Sequence, residues 1–228
     1  MNVSAGNLSN RSGLVPTFVV LSRFVFALVA LLCVSPINIR AETFYTNNFE
    51  NAEVGSVPGD LIVLDGLFSV KEEGGNRFLE LPGAPTDTYT VMFGPVTNVN
   101  IAVSARIHST NKGRRMPAFG VSLCGVGGYK LQVAAAKQSV ELFKGDELVK
   151  KADYKWKSGE WTSFHLSAVK TGNGVRVEGK ISQEGTEPVT LIFEDTNLLT
   201  AGPASITGTP FAGTPIWFDD LAVVEAGR

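Results

Sequence analysis

Hydrophobic and polar positions alternate with a period of two along most of the chain beyond residue 42. Val99, Ile101, Val103, Ala105 and Ile107 are interleaved with Asn100, Ala102, Ser104, Arg106 and His108. Tyr129, Leu131 and Val133 enclose Lys130 and Gln132, and Val175, Val177, Gly179 and Ile181 enclose Arg176, Glu178 and Lys180. Side chains two apart on an extended strand share a face, so this pattern predicts strands with one face in a core and the other in water. No stretch keeps a helical period for longer than a turn or two.

Glycine and proline punctuate these runs at short intervals. Lys144-Gly145-Asp146-Glu147 separates Val140–Phe143 from Leu148-Val149, and Lys170-Thr171-Gly172-Asn173-Gly174 joins Phe164–Val169 to Val175–Ile181. Both read as hairpin connections with glycine in the loop. Many short strands with local hairpins predict an all-β antiparallel sandwich or barrel. The absence of a repeat of about 20–50 residues argues against propellers and solenoids.

The first 41 residues break the pattern. Phe24–Val34 is an unbroken apolar run, preceded by Arg11 and Arg23 and ended by Pro36. It falls short of the roughly 20 residues of a membrane span and matches the core of a secretory signal. Residues 1–41 are therefore expected to be a signal peptide cleaved after Ala41, leaving residues 42–228 as a single β-sandwich domain. Ile39 stands where a cleavage site prefers a small residue, so an uncleaved N-terminal anchor stays open as the alternative. Leu32 before Cys33 disfavours a lipid-attachment signal. The expected location is extracellular, periplasmic or at the cell surface, with no membrane contact after cleavage.

This division changes the charge balance. The whole chain carries −2, but Arg11, Arg23 and Arg40 all lie in the first segment, which has no acidic residue; the remainder has 17 basic and 22 acidic residues, a formal charge of −5. An acidic domain without a basic block is not expected to bind nucleic acid. Cys33 is lost with the signal, so Cys124 has no partner for an internal disulfide. A small buried thiol is its expected role.

From residue 42 onward the order of features resembles the concanavalin A-like lectin/glucanase superfamily, including its laminin-G-like modules. The segments that carry the likeness are Phe44–Glu50, Gly55–Gly59, Gly66–Val70, Gly75–Leu81, Gly127–Val133, Val140–Gly145, Trp156–Thr162 and the closing Pro215–Val223. The aromatic-Asp-Asp-Leu-x-Val ending, Phe218–Val223, is the most specific of them. The resemblance implies a two-sheet jelly roll in which the last strand pairs near the first. It extends to secreted domains of the 3-keto-disaccharide hydrolase type.

The resemblance also frames the chemistry. Retaining glucanases of this superfamily place alternate carboxylates, Glu-x-Asp-x-(x)-Glu, on one strand face, about 5–5.5 Å apart. No such motif occurs here. Asp219-Asp220 and Glu72-Glu73 are sequence neighbours, expected to point to opposite faces, and Glu194-Asp195 precedes a turn. The two histidines, His108 and His165, form no metal-binding spacing. A structural calcium is expected at Glu50, Asp219 and Asp220, where related modules carry one near their termini.

A glycan ligand requires aromatic platforms beside planar polar groups. The candidates are Arg106, His108, Arg115, Lys130, Trp161 and Glu178, with Tyr89, Arg114, Trp156 and Trp217 also considered. Arg106 and His108 share the polar face of one strand. The competing reading of each is an ordinary solvated face or a packed sandwich edge. Two functions follow: a non-catalytic carbohydrate-binding or structural module, or a glycoside-degrading enzyme whose acid and base come from separate strands.

Overall fold

The alternating segments fold as strands. The computed structural model describes residues 41–84, 87–197, 199–210 and 213–227. The expected signal peptide, residues 1–41, lies outside these residues except for Ala41. Within them the strands are β1 Thr43–Asn47, β2 Ile62–Asp65, β3 Ser69–Glu73, β4 Asn76–Leu81, β5 Tyr89–Thr97, β6 Ile101–Ser109, β7 Ala118–Leu123 and β8 Tyr129–Ala134. They continue as β9 Ser139–Lys144, β10 Glu147–Asp153, β11 Thr162–Thr171, β12 Gly174–Gln183, β13 Val189–Asp195, β14 Gly202–Thr209 and β15 Ile216–Glu225. A 3₁₀ turn at Ala135–Lys137 is the one helical element among the described residues.

The predicted strands become β6, β8 and β12, with one shift. β6 begins at Ile101 because Asn100 is left-handed, with φ 55°, a conformation asparagine tolerates better than most residues. The Gly145-Asp146 turn has only its glycine left-handed, φ 56°, which is the type II′ pattern suited to the strand twist.

Two antiparallel sheets result. The first has eight strands in the order β13-β12-β11-β6-β15-β4-β3, with β1 also paired to β15. The second has seven in the order β10-β9-β8-β7-β14-β5-β2. The expected pairing of last strand with first is present, with Thr46 opposite Ala222 and Asn47 opposite Leu221.

The inward residues of both sheets form one continuous core. Val103, Ala105, Ile107, Phe164, Leu166 and Phe218 face Phe93, Phe119, Val121, Leu131, Val133 and Ile206, all buried. Non-directional burial of this kind is the main stabilising term for a sandwich without a disulfide. Cys124 is buried and free, as expected, and burial pushes its thiol up to about 11.

A polar clamp closes one side of the sandwich. The Tyr129 hydroxyl, from β8, donates to Asp195 Oδ2 on β13 at 2.7 Å. Lys144 of β9 lies 2.7 Å from the same oxygen, and the Asn197 N–H donates to Oδ1 at 3.0 Å. Burial pushes the Asp195 carboxyl up, but Lys144, the Asn197 N–H and Tyr129 outweigh it and hold it below the usual value.

Two tests follow from this packing. A depressed folded-state value means that Asp195 stabilises the protein above about pH 4, and that the contribution is lost as pH falls through the folded value. Asp195→Asn is expected to cost about 1–3 kcal/mol at pH 7, with the gap to the parent protein narrowing in denaturation curves toward pH 2. An unchanged gap would contradict the clamp. Iodoacetamide labelling mapped by mass spectrometry is expected to leave Cys124 unmodified in the folded protein at pH 8 and to modify it in denaturant; labelling at equal rates in both would refute its burial.

Candidate functional site

The site begins at a fork in the first sheet. β6 pairs with β15 along its length, from Ile216 opposite Ser109 to Glu225 opposite Ile101. The other edge of β15 is divided, because β4 takes Ile216–Phe218 and β1 takes Leu221–Val224. Between them the register shifts across Asp219–Ala222, and Asp220 is left-handed with φ 49°. This bulge inserts an extra residue into β15 and re-aims its side chains.

The bulge corrects the sequence expectation that Asp219 and Asp220 point apart. Simple alternation fails there, and Arg106 reaches both. Its Nη2 lies 3.1 Å from Asp219 Oδ2 and its Nε 2.6 Å from Asp220 Oδ2. Asp219 is buried and also accepts hydrogen bonds from Asn76 Nδ2 at 3.2 Å and from the Asp220 N–H at 2.7 Å. Burial raises the Asp219 pKa, with the Asp220 charge adding to it; the bonds from Asn76 and the Asp220 N–H, together with the Arg106 charge, offset this only in part.

An aromatic tier adjoins this network on the same outer face. The Trp217 ring stacks on Phe78 at 4.4 Å and on His108 at 4.5 Å. Trp161 completes the group 5.4 Å from His108 and edge-on to Phe78 at 6.5 Å. Arg106 Cζ lies over the Trp161 ring, 5.0 Å from its centroid, a cation–π arrangement. Trp217 Nε1 donates to Glu80 at 2.9 Å. Burial lowers the His108 pKa, with the Gly159 backbone and the Glu73 charge pulling the other way.

Two clefts flank the fork. One, of about 430 Å³, is lined by Arg106, Gly159, Glu160, Trp161 and Glu184. The other, of about 640 Å³, lies beside β1 and is lined by Thr46, Asn47, Asn48, Asn51 and Asp220 among others. It occupies the gap left where β1 and β4 share one edge of β15.

Arg106, His108 and Trp161 are thus brought together, but the other expected ligand residues are not. Glu178 shares the outer face of the first sheet and pairs with Arg176 at 3.7 Å. It stands opposite Ser167, however, while Arg106 stands opposite Ser163, a separation along the strands of about 13 Å. Lys130 belongs to the second sheet and lies over the Phe143 ring at 4.7 Å, on the far side of the sandwich. Arg115 is in the connection between β6 and β7, bonded through its backbone to Lys112. Trp156 packs edge-on against Phe119 in the core, and Tyr89 lines a separate depression with Leu67 and Pro82.

The carboxylates of the calcium expectation are already engaged within the protein. The Glu50 carboxylate accepts the Arg77 N–H at 3.1 Å, and both aspartates are already held by Arg106. The guanidinium places one positive charge between them. Among the described residues no group of three or more His, Cys, Asp or Glu side chains is arranged to hold a metal.

Several contributors were missed in the sequence: Asn76, Phe78, Glu80, Asn51, Glu160 and Glu184. Only Phe78 carried a signal. Phe78 and Leu79 are adjacent apolar residues in a strand, so one of them must leave the core and cover the outer face.

Comparison with known proteins places this architecture. No family model matches the chain, and no curated protein matches it. The solved structures it resembles include the marine PL-14 alginate lyase from Aplysia kurodai, with a TM-score of 0.57 and 10% identity over 81% of this chain and 100% of that one. A Bacillus subtilis protein of unknown function with a galectin-like fold gives a TM-score of 0.57 and 13% identity over 82% and 97% of the two chains. The carbohydrate-binding module CBM66 from Bacillus subtilis gives 0.51 and 11% identity over 73% and 96%. At such identities the likeness is one of fold. The sandwich that carries the fork and its aromatic tier is a concanavalin A-like jelly roll.

Proposed function

We propose that this chain is an exported, non-catalytic carbohydrate-binding module that engages its glycan at the Trp161–Arg106 cleft. The observation that carries the reading is convergence: an indole, a guanidinium and the Glu160 and Glu184 side chains line one open cleft. Aromatic faces pack on the C–H side of a pyranose, and planar charged groups hydrogen-bond its hydroxyls. The aromatic tier behind Trp161 supports the platform, because Phe78 is buried against Trp217 on what is otherwise a solvent face. The same fold in a carbohydrate-binding module is consistent with this use.

A hydrolytic reading retains one supporting observation. Glu160 and Glu184 come from separate segments and line the same cleft, so an acid and a base on separate elements are available there. Asp219 and Asp220 are poor candidates for that work, since one guanidinium clamps both. Reducing-sugar release distinguishes the two readings: activity abolished by both Glu160→Gln and Glu184→Gln would replace binding with catalysis.

Two outcomes are expected. In isothermal titration with a bound oligosaccharide, Trp161→Ala is expected to weaken affinity about tenfold or more, as truncation of a central aromatic contact does, while Lys130→Ala on the other sheet leaves it unchanged. Equal losses in the two variants would remove the cleft from the account. EDTA is expected to leave the Tm unchanged, because the carboxylates that calcium would need are already bonded to Arg106 and to the Arg77 N–H; a clear fall in Tm, restored by added calcium, would overturn that assignment.

A further inference from the structure

The clefts on either side of the fork are joined by a shared ion pair. Arg106 lines the cleft beside Trp161, and Asp220 lines the cleft beside β1. Their contact at 2.6 Å is the wall between them, and both side chains are substantially exposed, at 39% and 50%. We propose that the two clefts are subsites of one extended site, and that its ligand is the interior of a neutral polysaccharide chain rather than a single terminal sugar. This inference rests on the carbohydrate reading above.

Three observations carry it. The first is alignment. Trp161 immediately precedes β11, which pairs with β6; β6 pairs with β15, and β15 with β1. Three interstrand steps of about 4.8 Å, with an offset of four residues along the strands between Trp161, beside His108, and Thr46, which reaches Ser104 through Ala222, place the β1 cleft roughly 19 Å from Trp161 on the same outer face, a span longer than one pyranose. Thr46 and Ala222 are the outward pair of the β1–β15 ladder, flanked by Leu221 and Val223, which are buried in the core.

The second is the chemistry of the β1 cleft. Asn47, Asn48 and Asn51 line it; the Asn47 amide is bonded to Tyr45, Asp60 and the Phe49 N–H and the Asn48 oxygen accepts the Glu50 N–H, which leaves the Asn48 amide nitrogen and the whole Asn51 amide, with its donors and acceptor, to a ligand. Such groups match vicinal hydroxyls and carry no charge. The Asn51 side chain is exposed and makes no hydrogen bond to another described residue. Among the described residues no aromatic lines the β1 cleft, so it serves as a hydrogen-bonding extension of the Trp161 platform and not as a second stacking site.

The third is charge. Asp220, Glu184 and Glu160, the last paired with Lys157 at 3.6 Å, border the path, and Arg106 is already shared between Asp220 and the buried Asp219. A uronate chain would bring like charge to this face at a cost, whereas a neutral chain meets no such penalty. The exposed Arg106–Asp220 pair is weakly held in water, so each partner can turn to a ligand hydroxyl as a chain is laid across it.

The test is a chain-length series. Neutral cello-, xylo-, manno- and chito-oligosaccharides from disaccharide to hexasaccharide are titrated by calorimetry, beside an oligoguluronate ladder. For the ladder that binds, affinity is expected to rise about tenfold or more between disaccharide and hexasaccharide. Asn51→Ala and Thr46→Ala, both at exposed positions, are each expected to cost about three- to tenfold for the hexasaccharide and nothing for the disaccharide, whereas Trp161→Ala weakens both. A Kd independent of chain length, equal losses for short and long ligands, or preferential binding of the uronate ladder would overturn the extended neutral site while leaving the carbohydrate reading intact. Absence of binding to every ladder would overturn both.

Discussion

The outer face of the first sheet is organised by one guanidinium between two adjacent carboxylates. β15 has to serve two partners along one edge, and the transition from β4 to β1 is made at the Asp219–Asp220 bulge. A left-handed aspartate is tolerable there because its neighbour's carboxylate accepts its N–H at 2.7 Å and Arg106 bonds to both carboxylates. Without that compensation a buried, ionised Asp219 would be costly. The same contact sets Arg106 over Trp161, and so links the backbone irregularity to the aromatic tier and to both clefts.

This arrangement also bears on the one feature the resemblance had led us to expect here, a calcium site. The carboxylates at the end of the chain resemble metal ligands in type and position, yet they act as a structural latch with an internal cation. The chemistry left open to a ligand is the partly exposed indole, the solvent-facing edge of Arg106, the two cleft glutamates and the Asn48 and Asn51 amides beside β1.

Much of the fold was legible because alternation records burial locally. Val103, Ala105 and Ile107 face inward whatever the sheet order, and the Gly145 hairpin follows from a few residues. The site was less legible because it depends on relations that alternation does not encode. Period two assigns a residue to a face but not to a sheet, so Lys130 was grouped with Arg106 although the sandwich lies between them. It does not assign register, which leaves Glu178 on the right face but too far along it. It also assumes regular pleating, and the bulge that turns Asp219 and Asp220 to one guanidinium is dictated by the meeting of β1 and β4 on β15. Arg106, His108 and Trp161 were recoverable because two of them share one strand face and the third opens the strand beside it.

The most direct test of the account is a double-mutant cycle between Arg106 and Asp219, using Arg106→Met, Asp219→Ala and the double variant in urea denaturation at pH 7. A charged hydrogen bond with one buried and one partly exposed partner predicts a coupling of about 1–2 kcal/mol. The double variant would then be less destabilised than the sum of the single ones. A coupling indistinguishable from zero would mean that the bulge and its carboxylates stand without Arg106, and that the latch does not hold the fork together.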